Sequence, residues 1–135
     1  SLAPAAELST VLARVREAGG AGLIDARALP RFQGEVEPID PVAGHIPGAT
    51  CFPHSENLTA EGRFKDPATL RARWAPVFAG PEAPIAYCGS GVTAAHNLLA
   101  MAAAGLCPDA LPALYVGSFS EWIRDPARPV VRGDA

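Results

Sequence analysis

Three short apolar runs constrain this chain more than any other feature. They are Leu23-Ile24, which leads into Asp25, then Pro84 to Tyr87, and Leu114-Tyr115-Val116. Each is too brief for a helix and each is followed by a turn-forming segment. Continuous apolar runs of this length read as strands covered on both faces. Helical signals lie between them. Leu8, Val11, Leu12 and Val15 recur at helical spacing over 5–18 and stop at Gly19-Gly20. Asp66-Pro67 is an N-cap and first-turn pair, and Leu70, Trp74, Val77 and Phe78 give the helix behind it an apolar face. Thr93 to Ala104 is rich in Ala and Leu and closes at Gly105. Cys51-Phe52 reads as a further short strand, and Ser118 or Ser120 as the cap of a last short helix containing Trp122. Strands alternating with helices predict an α/β fold, a central mainly parallel sheet flanked by helices on both faces. The 135 residues suit one domain over 1–135.

In such sheets, sites form in the loops beyond the carboxyl ends of the strands. That directs attention to 25–32, 88–93 and 117–122. The stretch 27–50 is polar, rich in Gly and Pro and without apolar period, and an ordered domain seldom keeps such a loop unless it serves a function.

The sharpest chemical feature is Cys88-Gly89-Ser90-Gly91-Val92-Thr93, between a buried strand and a helix. A loop here can curl so that successive backbone N–H groups face the sulfur, and the following helix adds its own unpaired N–H groups and positive dipole end. Both stabilise an anion: a thiolate nucleophile, a persulfide or a bound oxyanion. Gly89 and Gly91 allow the tight path, and Ser90 and Thr93 add hydroxyl donors. An arbitrary cysteine is more often a small buried hydrophobe; the strand–loop–helix setting favours a functional thiol.

Composition excludes several other roles. Hydrophobic residues make up 49% and charged residues 19%, which is not the balance of a disordered chain. A net charge of −3 argues against a nucleic-acid partner. No apolar stretch approaches the ~20 residues of a membrane span. Three cysteines are too few for a disulfide scaffold, so a reducing, cytoplasmic location is expected. No signal segment opens the chain, and the start at Ser1 suggests a processed or truncated N-terminus. Cys51, Cys107, His54 and His96 lack zinc-ligand spacing, so no metal is expected, and Cys51 and Cys107 read as packing residues.

CGSGVTA at 88–94 resembles the active-site loop of the rhodanese-type sulfurtransferases, in particular the 3-mercaptopyruvate branch. Four further segments resemble the family in order: Ile24-Asp25-Ala26-Arg27, Arg31-Phe32-Gln33-Gly34, Gly44-His45-Ile46-Pro47-Gly48-Ala49 and Gly117-Ser118-Phe119-Ser120-Glu121-Trp122. The resemblance implies a rhodanese-like domain and a double displacement without metal or organic cofactor. In it Cys88 takes the outer sulfur of a donor, 3-mercaptopyruvate or thiosulfate, as a covalent persulfide. A thiophilic acceptor such as cyanide, a thiol or thioredoxin then removes it. It implies that Arg31 binds the donor's anionic group and that Ser90 acts catalytically beside Cys88 as a proton relay or loop hydrogen bonder. Asp25 and Arg27 would form a structural ion pair, and His45 would be a scaffold residue bonding within its turn. The segment 31–44 resembles the catalytic, C-terminal half of two-domain members, so an N-terminal rhodanese-like domain is a possible partner.

Two departures bear on the donor. The mercaptopyruvate branch usually carries Glu-Pro-Arg after the Arg-Phe segment, and this chain has Glu37-Pro38-Ile39-Asp40, where Ile39 cannot hold a carboxylate and Asp40 would repel one. Rhodaneses proper place basic residues after the cysteine, and this chain has neutral Gly89 and Ser90. The neutral loop favours a donor of lower charge, hence 3-mercaptopyruvate. A non-catalytic sulfur-carrier or binding module stays open as a rival. A Cys-dependent phosphatase is a poorer one, since five residues on from Cys88 comes Thr93 and the Arg that would clamp phosphate is replaced by Ala94.

Overall fold

The computed structural model describes residues 4–89 and 93–133. Five strands form one sheet, all parallel: β1 (Ala5–Ala6), β2 (Leu23–Asp25), β3 (Thr50–Cys51), β4 (Ile85–Tyr87) and β5 (Ala113–Tyr115). Their spatial order is β1-β5-β4-β2-β3. Register is set by Ala5 opposite Leu114, Ile24 opposite Thr50 and Ala86, and Ile85 opposite Ala113. The expected parallel sheet is therefore present. Val116 is not part of the last strand; it is exposed.

The period-two alternation of each strand divides the interior into two layers. Leu23, Ile85, Tyr87 and Tyr115 pack on one face with Val11 of α1 (Leu8–Ala18), Phe32 of α2 (Leu29–Gln33), and Phe119 and Trp122 of α5 (Ser118–Trp122). Ile24, Ala86 and Cys88 pack on the other with Leu70 and Trp74 of α3 (Pro67–Ala79) and Leu98 and Met101 of α4 (Ala94–Ala103). Helices thus cover both faces, as the continuous apolar strands require.

Helix ends follow local chemistry. Asp66 caps α3, its Oδ1 accepting from the Thr69 N–H at 2.8 Å. Gly19 and Gly20 end α1 with φ of 62° and 81°. A Cβ on Gly48 would run into the backbone carbonyl of Gly19, so these two turns interlock at a distance only glycine permits.

Three sequence expectations are corrected, and one short element is added. The chain over 5–18 opens with a strand, and the helix begins only at Leu8. The stretch 27–50 is not wholly irregular, because α2 occupies Leu29–Gln33, with Pro30 in its first turn and Gly34 at φ 80° behind it. A 3₁₀ turn, His54–Asn57, follows β3. Neither Ser118 nor Ser120 caps α5: the capping position is Gly117, and both serine hydroxyls bond elsewhere.

Candidate active site

The loops after β2, β4 and β5 converge on one cavity of about 290 Å³ lined by Arg31, Ile39, Asp40, Cys88, Gly89, Thr93 and Ser120. A second cavity of about 270 Å³, between the β2–β3 edge and α3, is lined largely by apolar residues and by Glu82, which pairs with Arg14. The nucleophile candidate lines only the first, so the chemistry belongs there.

Cys88 follows β4 directly and is 1% exposed. Its backbone is fixed from the far side of the sheet. The Cys88 N–H donates to Ser118 Oγ at 3.1 Å, the Phe119 N–H donates to Cys88 O at 3.0 Å, and the Ser120 N–H donates to Gly89 O at 2.9 Å. Ser90, Gly91 and Val92, expected to form the rest of the loop, lie outside the described residues. Thr93 stands at the N-terminus of α4 without a side-chain cap.

Ser118 is the positioning residue that sequence reasoning missed. It is fully buried, and its φ of 55° is the one positive value among the described non-glycine residues. The left-handed backbone aims its hydroxyl inward, where it donates to Tyr115 O at 2.8 Å while accepting from Cys88. A non-glycine residue held this way costs about 1–2 kcal/mol, offset by satisfying two buried backbone groups. The signal was the serine at the head of a helix, which reads equally well as a cap. Ser118→Ala should destabilise the domain by about 1–3 kcal/mol, because it orphans the Cys88 N–H. Ser118→Gly loses the same hydrogen bonds but relieves the backbone, so its denaturation midpoint should lie above that of Ser118→Ala. Equal midpoints would remove the strain from this account.

Asp25 and Arg27 form a buried ion pair. Arg27 Nη2 lies 2.6 Å from Asp25 Oδ2, and Nε donates to both carboxylate oxygens at 3.0 and 3.1 Å. Arg27 Nη2 also donates to Gly44 O at 2.6 Å, and its Cζ stands 4.2 Å from the centre of the Phe119 ring. Burial opposes the guanidinium charge, yet the hydrogen bonds and charge of Asp25 raise its pKa further. His45 is buried and does not bond only within its turn, as was expected. Its Nδ1 lies 2.7 Å from Phe32 O, its ring stacks on Phe32 at 3.6 Å, and its backbone pairs with Val131.

Arg31 projects from α2 into the cavity. Its guanidinium lies against Gly89: a Cβ there would sit 3.3 Å from Nη2. Glycine at 89 thus leaves room for Arg31 beside the nucleophile. Two carboxylates hold the guanidinium: Glu37 Oε2 at 3.0 Å and Asp40 Oδ2 at 3.3 Å, both to Nη2. Glu37 also reaches Arg27 Nη1 at 3.5 Å and accepts the N–H groups of Ile39 and Asp40. Burial alone would raise the Glu37 carboxyl, but hydrogen bonds from Asp40, Arg31 and Ile39 hold it below its usual value. Asp40 moves the opposite way, raised by burial and then by the charge of Glu37, against the pull of Arg31 and Arg27. Two cations (Arg27, Arg31) face three anions (Asp25, Glu37, Asp40), a net charge of −1 for the cluster.

The remaining cysteines have no such surroundings. Burial pushes the Cys51 thiol up to about 12, and burial also raises Cys107. Among the described residues no group of three or more His, Cys, Asp or Glu is placed to hold a metal ion, and no helix is long and apolar enough to cross a membrane.

Comparison with known proteins agrees with this geometry. Residues 8–125 match the family model of the rhodanese-like domain. The chain is 57% identical over 117 residues to a probable 3-mercaptopyruvate sulfurtransferase of Pseudomonas aeruginosa, covering 85% of this chain and 40% of that protein. It is 44% identical over 128 residues to the putative thiosulfate sulfurtransferase SseB of Mycobacterium tuberculosis, covering 93% of this chain and 43% of the relative. Among solved structures, the Tum1 protein of Saccharomyces cerevisiae superposes with a TM-score of 0.78 at 25% identity, over 98% of this chain and 47% of Tum1. The chain spans about two-fifths of the length of these curated relatives. With Cys88 at the end of a central parallel strand and the family match running nearly the whole chain, the protein belongs to the rhodanese-like family, among relatives that are 3-mercaptopyruvate and thiosulfate sulfurtransferases.

Proposed function

We propose that this domain is a sulfurtransferase that carries a sulfane sulfur as a persulfide on Cys88. The observation that carries this reading is the meeting of Cys88 and Arg31 in one cavity at the carboxyl end of the sheet. The donor is 3-mercaptopyruvate, with thiosulfate as the second choice. The Cys88 thiolate attacks the donor's sulfur and an S–S bond forms. The C–S bond breaks, its electron pair passes to carbon, and the resulting pyruvate enolate takes up a proton. An acceptor thiolate (a small thiol or thioredoxin) or cyanide then attacks the outer sulfur and returns Cys88 as thiolate. Arg31 orients the donor through its carboxylate. Ser90, two positions after the nucleophile in sequence, is its proton relay. The resemblance of segment 31–44 to the C-terminal half of two-domain members makes an N-terminal rhodanese-like domain its proposed partner. Metal and organic cofactor have no part in these steps.

Intact-protein mass after separate incubation with 3-mercaptopyruvate and with thiosulfate, without reductant, tests the reading. A gain of one sulfur atom, mapped to the Cys88 peptide and larger with 3-mercaptopyruvate, is expected. No gain with either donor would mean that the domain needs the proposed partner domain for sulfur uptake or is a binding module. Arg31→Ala should raise the donor's KM about tenfold or more with a smaller change in the rate of transfer to cyanide. An unchanged KM would take Arg31 out of the donor site.

A further inference from the structure

We infer that Asp40 is a specificity-determining residue, a tethered anion that competes with the donor for Arg31 and so limits this pocket to donors of low negative charge. The inference deepens the reading of the cavity as a sulfur-donor site, and it rests on geometry that reading does not use. Glu37 and Asp40 both approach Arg31 through Nη2, but they are not equivalent. Glu37 is 6% exposed and tied to Arg27, Arg31 and two backbone N–H groups, so it is a fixed part of the framework. Asp40 lines the cavity with Cys88 and holds Arg31 through one contact of 3.3 Å. Its neighbour Ile39 is 76% exposed, so this turn stands at the open rim.

An anionic donor reaching Arg31 must displace Asp40 or share the guanidinium with it. Sharing places like charges close together in a partly dehydrated site, and the cost grows with the donor's charge. A monoanion such as 3-mercaptopyruvate is tolerated; dianionic thiosulfate is penalised. The groups facing Asp40 are Glu37, Arg31 and Arg27. Because burial and Glu37 raise the Asp40 pKa, protonation of Asp40 as pH falls towards that raised value frees Arg31. The KM of an anionic donor should therefore fall as pH drops towards that raised value.

The test uses alkylation of Cys88, which requires no sulfur transfer. Rates with iodoacetate and iodoacetamide are followed on the Cys88 peptide in the wild type and in Asp40→Asn, Asp40→Glu and Asp109→Asn. Asp40→Asn should raise the iodoacetate-to-iodoacetamide ratio about tenfold, the scale for one unit charge removed at short range. Asp40→Glu should keep the wild-type ratio. Asp109→Asn, which removes the same charge from an exposed loop outside the cavity, should leave it unchanged. In donor kinetics, Asp40→Asn should lower the KM of thiosulfate more than that of 3-mercaptopyruvate, with kcat nearly constant, and flatten the pH dependence of KM. A ratio that does not move in Asp40→Asn, or moves equally in Asp109→Asn, overturns the inference. A ratio that moves in a protein loading no sulfur upholds the role of Asp40 and removes the sulfurtransferase reading instead.

Discussion

Cys88→Ser should take up no sulfur from either donor and lose at least about a thousandfold in turnover, while remaining folded. The size of the loss follows from the role: without the thiolate, no S–S bond forms, and a serine hydroxyl is far too weakly acidic to replace it. That the fold survives follows from the hydrogen bonds around residue 88. Its N–H donates to Ser118 Oγ and its C=O accepts from the Phe119 N–H, and neither contact depends on the sulfur. The substituted oxygen is nearly isosteric, and burying it beside Ala94 and Leu98 costs about 1–2 kcal/mol. Intact mass after donor incubation reads the first claim and a urea midpoint the second. Turnover retained in Cys88→Ser would end the persulfide mechanism.

Asp25→Ala should be the most destabilising single change at the site, by about 3–5 kcal/mol. Removing one partner of a buried, multiply bonded pair leaves the other charge with no adequate counter-ion. Here the abandoned group is Arg27, whose Nη1 is buried without a hydrogen bond even in the intact site. Gly44 O and the 3.5 Å contact with Glu37 do not replace the Asp25 carboxylate. The damage would spread, because Glu37 fixes both Arg27 and Arg31, so donor binding should weaken together with stability. Replacing both partners by apolar residues, Asp25→Leu with Arg27→Met, should recover much of the stability but not the donor affinity. Chemical denaturation of the single and double variants separates the two effects. A double variant as unstable as Asp25→Ala would show that the pair matters for more than charge.

Much of this was legible because the signals are local. Leu23-Ile24, Ile85 to Tyr87 and Leu114-Tyr115 are apolar with no polar face, so they announce strands covered on both sides and locate the loops that carry chemistry. The convergence of the loops follows from parallel topology, and it brought Arg31 to Cys88 across more than fifty positions of sequence. What stayed hidden depended on tertiary context. Ala5-Ala6 has no side chains that favour a strand; it becomes one only because Leu114 offers an edge. The helix Leu29–Gln33 has a single buried anchor, Phe32, too little for a periodic signal. His45 bonds to Phe32 and Val131, residues far from its own turn. Asp40 was legible as a charge of the wrong sign for a donor, but its contact with Arg31 depends on the turn that Glu37 folds around its own carboxylate. Ser118 advertises a helix cap and acts instead as the far anchor of Cys88.

The pairing of the first strand with the last has a consequence for how the protein is made. On the ribosome β1 and α1 emerge early, but Ala5 and Ala6 have no place to dock until Leu114 and Tyr115 have been synthesised. At roughly 5–20 residues per second this leaves an interval of roughly 5–20 s. Throughout it, the apolar side of α1 waits for the Tyr115 and Trp122 layer that will complete its cover. Within this domain the sheet therefore closes outward from β2 and β4, and the strand made earliest in it is the one fastened last. The nascent domain thus passes through a period in which α1 lacks part of the cover that shields its apolar side.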